Sequence, residues 1–514
     1  MSAVQTTGLG LLADDAYVGL LDHGLFNEKL PSCFSSRGLA HLATSHLLEV
    51  VFGKDGFKLG KLGAQQPRGY VRHQSIRDVN VPRQLGIPHP QGYFVQCYTI
   101  RHYWDEITEH CAKPDRAVSR IFVRRAGPDR IFEMGYKGLE IDELEEQDLG
   151  FATGSRFYVR ADISSCFPSI YTHSISWALH GKSMAKTSRG SLDLPGNVLD
   201  RVTRILRDGQ SNGLLIGPHS SNILSEIVLT SVDDALLRKG FERLTRYIDD
   251  YQYYAGSHEE AEFFVRELGL ALREFELVLN ERKTQILPCP RPQVEYWIRE
   301  LKAFDFSVGE IPFGTIRSFL DLALHLAQGA GTSAVLNYAI KILPMRLDER
   351  AARLFTLAAC NLALSYPYLV PLLDEHVFNR LPSVSKDVRI THFLGELVTI
   401  GIQRIYPDAI AHALYLAIKY ELKLPQSEKD LGRIIPLNDC VCDVLLLEYS
   451  RRMKLGGLVS EIIDQANTLR KMERREQDAF WLLIYQAWTE DELRDNGQDL
   501  LAELKKKHFE FVRF

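Results

Sequence analysis

The chain has 514 residues, 45% of them apolar and 25% charged. That composition excludes wholesale disorder, and the length asks for more than one hydrophobic core. The net charge of −5 argues against a chain that is cationic all over, so any polyanion must be held by a local groove.

The opening residues, MSAVQTTGLGLLADD, do not read as a signal peptide. KLPSCFSSRGLAHLATSHLLEVVFG reads as a loop and then an amphipathic helix over 36–51. Pro82, Pro88 and Pro90 act as breakers before a helix that starts near Gly92. Six basic residues follow (Lys113, Arg116, Arg120, Arg124, Arg125 and Arg130) around a β-rich piece, SRIFVRR.

From 151 onward strand and helix signals alternate. FYVRADISSCF reads as a strand ending near Asp162, and IYTHSISWALHG as a helix. SNILSEIVLTSVDDALL is a longer helix with Ile223, Leu224, Ile227 and Val228 at helical spacing, and its Asp233–Asp234 pair reads as helix surface. RLTRYIDDYQYYAG holds two short strands around a turn. SHEEAEFFVRELGLALREFEL is a helix capped by Ser257. Neither GxGxxG nor GxxxxGK[ST] occurs, so the class is α+β rather than a doubly wound nucleotide fold. Beyond about 305 the patterns are helical, with breaks at Pro344, Pro367, Pro382 and Pro407. Helix pairs recur at roughly 40 residues, the spacing of HEAT-like stacks, with a plain helical bundle as the alternative. No run of about 18 apolar residues appears, so no membrane span is expected. The eight scattered cysteines form no CxxC, the nearest pair being Cys440 and Cys442. They suit a reducing, cytoplasmic setting.

The most informative residues are acids. Asp249 and Asp250 interrupt an aromatic, β-rich run where aspartate is disfavoured. Two carboxylates about 4 Å apart repel by roughly 4 kcal/mol at an effective dielectric near 20. A shared proton or a cation must offset that. With Asp162 as a third acid at a strand end, Mg²⁺ is the natural partner, a hard ion that takes carboxylates together with substrate phosphates. Two such ions about 4 Å apart suit an in-line displacement at phosphorus. A lone Asp–Asp pair is otherwise a turn or a cap.

The order of the whole set carries a resemblance. FYVRADISSCFPSI resembles motif A of reverse transcriptases, GLLIGPHSSNILSEIVL motif B, RYIDDY the YxDD of motif C and LNERKTQI motif D. IGPHSSNILSEI, YTHSISWALHGK, KLPSCF and RQLGIPHP further resemble the bacterial abortive-infection (Abi) reverse transcriptases of the AbiK, AbiA and prophage-borne kinds. The resemblance implies an N-terminal segment with fingers over 1–150, a right-hand polymerase palm over 151–304 and an all-α, HEAT-like domain over 305–514. It implies that Asp162, Asp249 and Asp250, with the Ile163 carbonyl, hold two Mg²⁺ ions, Mn²⁺ being the alternative. Phe167 takes the place of the steric gate against a 2′-hydroxyl, and Lys283 that of the motif D lysine beside the departing pyrophosphate. Gly217 and Ser221 keep the close backbone approach and the small polar residue of motif B. Arg120 is the candidate clamp for the triphosphate of a dNTP.

The chain departs from ordinary reverse transcriptases at motif B, where Leu215 and Ile216 replace the usual Pro–Gln. An aliphatic residue there weakens the case for faithful copying. In the Abi group DNA synthesis is untemplated and primed on a protein tyrosine, which implies a single-stranded DNA product attached to the protein. None of the 21 tyrosines, of which Tyr17 is the earliest, is marked as the primer. The resemblance also implies antiphage defence, homo-oligomers and possible nucleic acid in the groove. Two rival readings remain, a templated polymerase of the retron or intron kind and a polymerase-derived scaffold. The polymerase reading sets its own condition: Asp162 must lie beside the hairpin tip, and its carboxylate must not turn into an Arg or Lys contact.

Overall fold

The computed structural model describes residues 12–43, 45–54, 57–58, 66–78, 81–112, 118–120, 123–126, 130–134, 141–292, 294–306, 309–381 and 387–514. The chain is a mixed helix-and-sheet protein, with three small sheets among the described residues. Strands β1 (Tyr70–Asp78) and β2 (Val81–Pro88) form an antiparallel hairpin, and β3 (Val123–Ala126) pairs with β4 (Arg130–Met134). The third sheet has four strands, β5 (Phe157–Asp162), β6 (Leu244–Tyr247), β7 (Asp250–Ala255) and β8 (Gln285–Pro288), in the order β6-β7-β5-β8, all antiparallel.

That sheet is built as its sequence implies. In YVRAD, Val159 and Ala161 are buried, as are Tyr251, Tyr253 and Ala255 of the facing strand. The helices His219–Leu237 and His258–Glu274 cover it, burying Ile223, Leu224, Ile227, Val228, Phe264 and Leu268. Ser257 caps the second of these helices, accepting a hydrogen bond from the Glu260 amide at 3.2 Å.

Three expectations are corrected. The helix expected over 36–51 is two helices, Leu39–Leu42 and Ser45–Phe52, because Ala43 leaves the helical region at φ −67°, ψ 51°. Pro82 and Pro88 do not break structure; they sit inside β2, which a two-stranded hairpin tolerates because one edge needs no amide donor. Pro90 opens the helix Pro90–His102 instead of ending anything, the first helical turn having no use for its missing N–H. Pro382 and the side chains of Lys113, Arg116, Arg124, Arg125 and Arg130 lie outside the described residues.

After β8 every element among the described residues is helical, from Tyr296–Ala303 to Asp499–Lys506. This array packs back onto the β1–β2 hairpin through the helices Pro407–Lys419, Cys440–Met453 and Arg474–Ala479. Among the described residues no helix is long and apolar enough to cross a membrane.

Candidate active site

Arg246 builds the hairpin that carries the acids. It is fully buried and its guanidinium holds Asp233 (Nε to Oδ1, 3.0 Å; Nη2 to Oδ2, 2.7 Å) and Glu226 (Nη2 to Oε1, 2.8 Å) on the helix His219–Leu237. Nη1 also donates to the Ile248 carbonyl at 3.0 Å. Two carboxylates around one guanidinium keep Arg246 charged despite its burial, with its pKa raised well above the usual value. Asp233 is therefore not on the helix surface, as its sequence suggests; it is 1% exposed and serves Arg246. The turn that this contact closes is two residues long, Ile248 and Asp249, between Tyr247 and its partner Asp250. Ile248 adopts φ +54°, a left-handed conformation that a β-branched residue rarely takes.

β5 runs beside β7 so that Asp162 lies directly opposite Asp250. Cross-strand partners point to the same face of a sheet. The Asp249 carbonyl accepts from the Ile163 amide at 3.2 Å, which ties the turn to the end of β5. The structure thus brings Asp162, Ile163, Asp249 and Asp250 together from two segments. The Asp249 carboxyl is held above its usual pKa, first by burial and then by Asp250 and Asp162, with Lys283 pulling the other way.

The condition on Asp162 is met in its first half and not in its second. Lys283, in the turn Glu281–Lys283, places Nζ 2.6 Å from Asp162 Oδ2, and the Asn280 side-chain amide reaches Oδ1 at 3.3 Å. Asp162 is 7% exposed, while the Lys283 side chain is 51% exposed and stands at the water's edge. Among the described residues no group of three or more His, Cys, Asp or Glu side chains is arranged to hold a metal ion. The donor set suits Mg²⁺ in kind, being carboxylates at one edge of a sheet. As placed, the carboxylates do not close on one point.

These residues line a cavity of about 1860 Å³. Phe167 and Gly217 line it too. The Phe167 carbonyl accepts from the Leu214 amide at 2.7 Å and its ring is partly buried against the core, so the side chain both packs and faces the cavity. Gly217 is at φ +141°, and a Cβ there would lie 2.9 Å from the Gly86 carbonyl oxygen, a close approach that only glycine permits. Leu215 and Ile216 form an aliphatic stretch of the wall.

Two expected residues are elsewhere. Arg120 is buried and paired with Asp148 at 2.6 Å, its amide bonded to the Arg246 carbonyl, and it does not line the cavity. Ser221 is buried in the helix His219–Leu237, and its neighbour Asn222 faces the cavity in its place. The cations that do line it are Lys29, Arg83, Arg160, Arg207, Arg282 and Lys341, beside Lys283. Arg160 and Arg282 had a local signal, Arg160 lying two residues before Asp162 on the same face of β5 and Arg282 standing next to Lys283. Of the tyrosines, Tyr70 and Tyr247 line the cavity, whereas Tyr17 is buried away from it.

No protein-family profile matches the chain, and no curated protein does. Among solved structures the chain is similar to telomerase from Candida albicans, solved in complex with a fragment of telomeric RNA. The likeness has 10% sequence identity and a TM-score of 0.31, over 81% of this chain and 67% of that one.

Proposed function

We propose that the chain is a nucleotidyltransferase of the reverse-transcriptase type that polymerises dNTPs, untemplated and protein-primed, in antiphage defence as an abortive-infection enzyme. In this reading residues 1–150 carry the fingers, 151–304 the palm and 305–514 a HEAT-like domain. The enzyme is a cytoplasmic homo-oligomer whose DNA product stays attached to a tyrosine. The observation that supports it best is the placement of Asp162 opposite Asp250, with Asp249 at the adjoining turn, on the wall of a cavity rich in Lys and Arg. The Lys283–Asp162 ion pair fails the second half of the condition set on Asp162, so the reading requires a divalent ion to displace that half-exposed lysine.

Asp162 and Asp249, with the Ile163 carbonyl and with Asp250 in support, would hold the divalent ions. When bound, those ions supply a lowered hydroxyl pKa and charge neutralisation at the phosphates. The chain's own residues do the rest. Arg83 on β2 and Lys29 take over the part first expected of Arg120 and bind the triphosphate oxygens. Phe167 excludes a 2′-hydroxyl. A hydroxyl oxygen, its proton released to water, would form the new bond to the α-phosphorus as the bond to the leaving pyrophosphate oxygen breaks, and Lys283 would donate a proton from its ammonium to that leaving oxygen. Leu215 and Ile216 offer a templated pair no polar contact, which favours untemplated addition.

The scaffold reading draws on a specific observation of its own. The ion pair between Lys283 and Asp162 relieves part of the carboxylate repulsion without any metal. One experiment separates the two. Purified protein is given Mg²⁺ and labelled dNTPs, with no template or primer. Label that follows the protein into phenol supports the polymerase; incorporation only with added RNA favours templated copying; no incorporation with Mg²⁺ or Mn²⁺ leaves the scaffold.

A further inference from the structure

The β1–β2 hairpin forms one wall of the cavity, through Arg83, Gln84, Leu85 and Gly86. Its sequence carries an anomaly. In YVRHQSIRD the inward positions alternate Val71, His73, Ser75, so an imidazole and a hydroxyl occupy places where a strand normally puts apolar side chains. Both meet acids from the helical array. His73 Nδ1 lies 3.0 Å from each Asp439 oxygen, and Nε2 lies 3.7 Å from Asp408 Oδ1. Asp408 Oδ2 accepts from the Ser75 hydroxyl at 3.3 Å and the Ile76 amide at 3.0 Å. Asp439 Oδ1 accepts from the Val441 and Cys442 amides at 3.1 Å, capping the helix Cys440–Met453. One acid therefore starts a helix of the array and holds the hairpin at the same time.

Burial alone would lower the pKa of His73, but Asp439 and Asp408 outweigh it and raise it to about 10. The imidazole is a cation at neutral pH. From the helix Pro407–Lys419 come Asp408 and His412. His412 is held below its ordinary pKa by burial, lies 3.6 Å from Asp408 Oδ1, and its Nε2 is 3.1 Å from the Lys29 carbonyl oxygen. From Cys440–Met453 come Asp439 and, near it, Cys442 and Asp443. The partner of His73 across β2 is Leu85. The other elements packed on β1 carry Asp478, held by Arg68 at 2.9 Å and by the Gly69 amide, Tyr485, donating to the Phe509 carbonyl, and Tyr368. The 3.7 Å separation between His73 Nε2 and Asp408 Oδ1 is that of paired charges, and among the described residues these side chains are not closed around an ion.

We infer that His73 is a positioning residue: its charge, clamped between Asp408 and Asp439, locks the β1–β2 wall of the cavity to the helical array, so that hairpin and array move as one body. His73 pairs with Leu85, and the next residue along β2, Gly86, donates its amide to the Ile216 carbonyl at 2.8 Å. A shift of β1 is thereby passed to both β2 and the Leu215–Gly217 segment. A second contact near the base of the hairpin acts in the same sense, the Trp481 indole N–H donating to the Ile87 carbonyl at 3.3 Å. The inference holds whatever the cavity binds.

The test uses the full chain, ring-labelled histidine resonances and amide exchange, none of which requires enzymatic activity. In Asp439→Asn the amide keeps the helix cap but the main counter-charge is gone. The His73 titration should move down by about one pH unit or more. Amide exchange at Gly86 and Ile87 should rise by about tenfold or more in the same pH interval. The helix Cys440–Met453 should stay protected. Asp408→Asn serves as the second variant should the first not fold, with the same expectation. If His73 titrates lower while Gly86 and Ile87 exchange as in the parent, the residue is a buried ion pair without a positioning role and the inference is wrong. It is equally wrong if the parent hairpin exchanges faster than the helices Pro407–Lys419 and Cys440–Met453 that it is said to move with.

Discussion

Lys283 Nζ stands 2.6 Å from Asp162 Oδ2, so the acid assigned to metal binding already has a cationic partner from the chain itself. The pair joins a strand end to a turn 121 residues later. A lysine that is half exposed gives up little hydration there and can be displaced by a divalent ion at modest cost. In the proposed reading Lys283 and a divalent ion would compete for one oxygen.

That competition gives the first prediction. Lys283→Met should tighten Mg²⁺ binding several-fold, measured by calorimetric titration without nucleotide. Turnover should nevertheless fall by about a hundredfold, because the proton donor to pyrophosphate is lost. Unchanged Mg²⁺ affinity would mean that the ion does not use Asp162.

Asp249→Asn should abolish synthesis, by about a thousandfold or more, as expected for one member of a concerted set. It should not lower the melting temperature. The carboxyl pKa is raised in the folded state by burial and by Asp250 and Asp162. The folded chain therefore binds that proton more tightly than the unfolded chain does. The group favours folding below its unfolded pKa, and this contribution is lost as pH rises through the folded pKa. At neutral pH the ionised form is a net cost, which the amide removes. Scanning calorimetry at pH 7 should show a melting temperature equal to or above the parent's, with the difference shrinking toward acid pH.

Arg246 makes the opposite case. Asp233→Ala leaves a buried guanidinium short of one counter-charge and should cost about 3–5 kcal/mol of stability by denaturant unfolding. The partner Asp234, whose ion pair with Arg238 lies at the surface, should cost about 1 kcal/mol or less when replaced by Ala. Equal effects at the two positions would contradict the buried role of Asp233.

Phe167→Ala should reduce the preference for dNTP over NTP by about tenfold to a hundredfold in competition assays, the scale of discrimination set by one shape contact. Because the ring also packs against the core, a loss of stability is expected in the same variant. Discrimination left at the parental level would remove the gate role and leave Phe167 a packing residue.

The parts that the sequence makes legible are those governed by near neighbours. Alternation locates β5 and the β6–β7 hairpin, the periodic apolar residues locate the helix beginning at His219, and Ser257 marks a helix start by its own side chain. Motif order points to the three acids and Lys283 as one site. What local pattern could not supply is partnership at a distance. Asp233 looks exposed until Arg246, thirteen residues on, folds back onto it. Arg120 looks like a free cation until Asp148 claims it. The first hairpin is hidden by its prolines, and its inward His73 makes sense only beside Asp439, 366 residues away. Lys29, Arg83, Arg207 and Lys341 come from four separate segments, and only the folded chain brings them to one cavity.

If Asp162 and Asp249 share a divalent ion, Mn²⁺ with a non-hydrolysable dNTP reports on it directly. Anomalous diffraction from crystals of the full chain so soaked should place Mn²⁺ against both carboxylates, with the Lys283 ammonium withdrawn from Asp162 Oδ2. Saturating Mn²⁺ that leaves no anomalous peak at these acids, with the Lys283–Asp162 contact intact, would contradict the account.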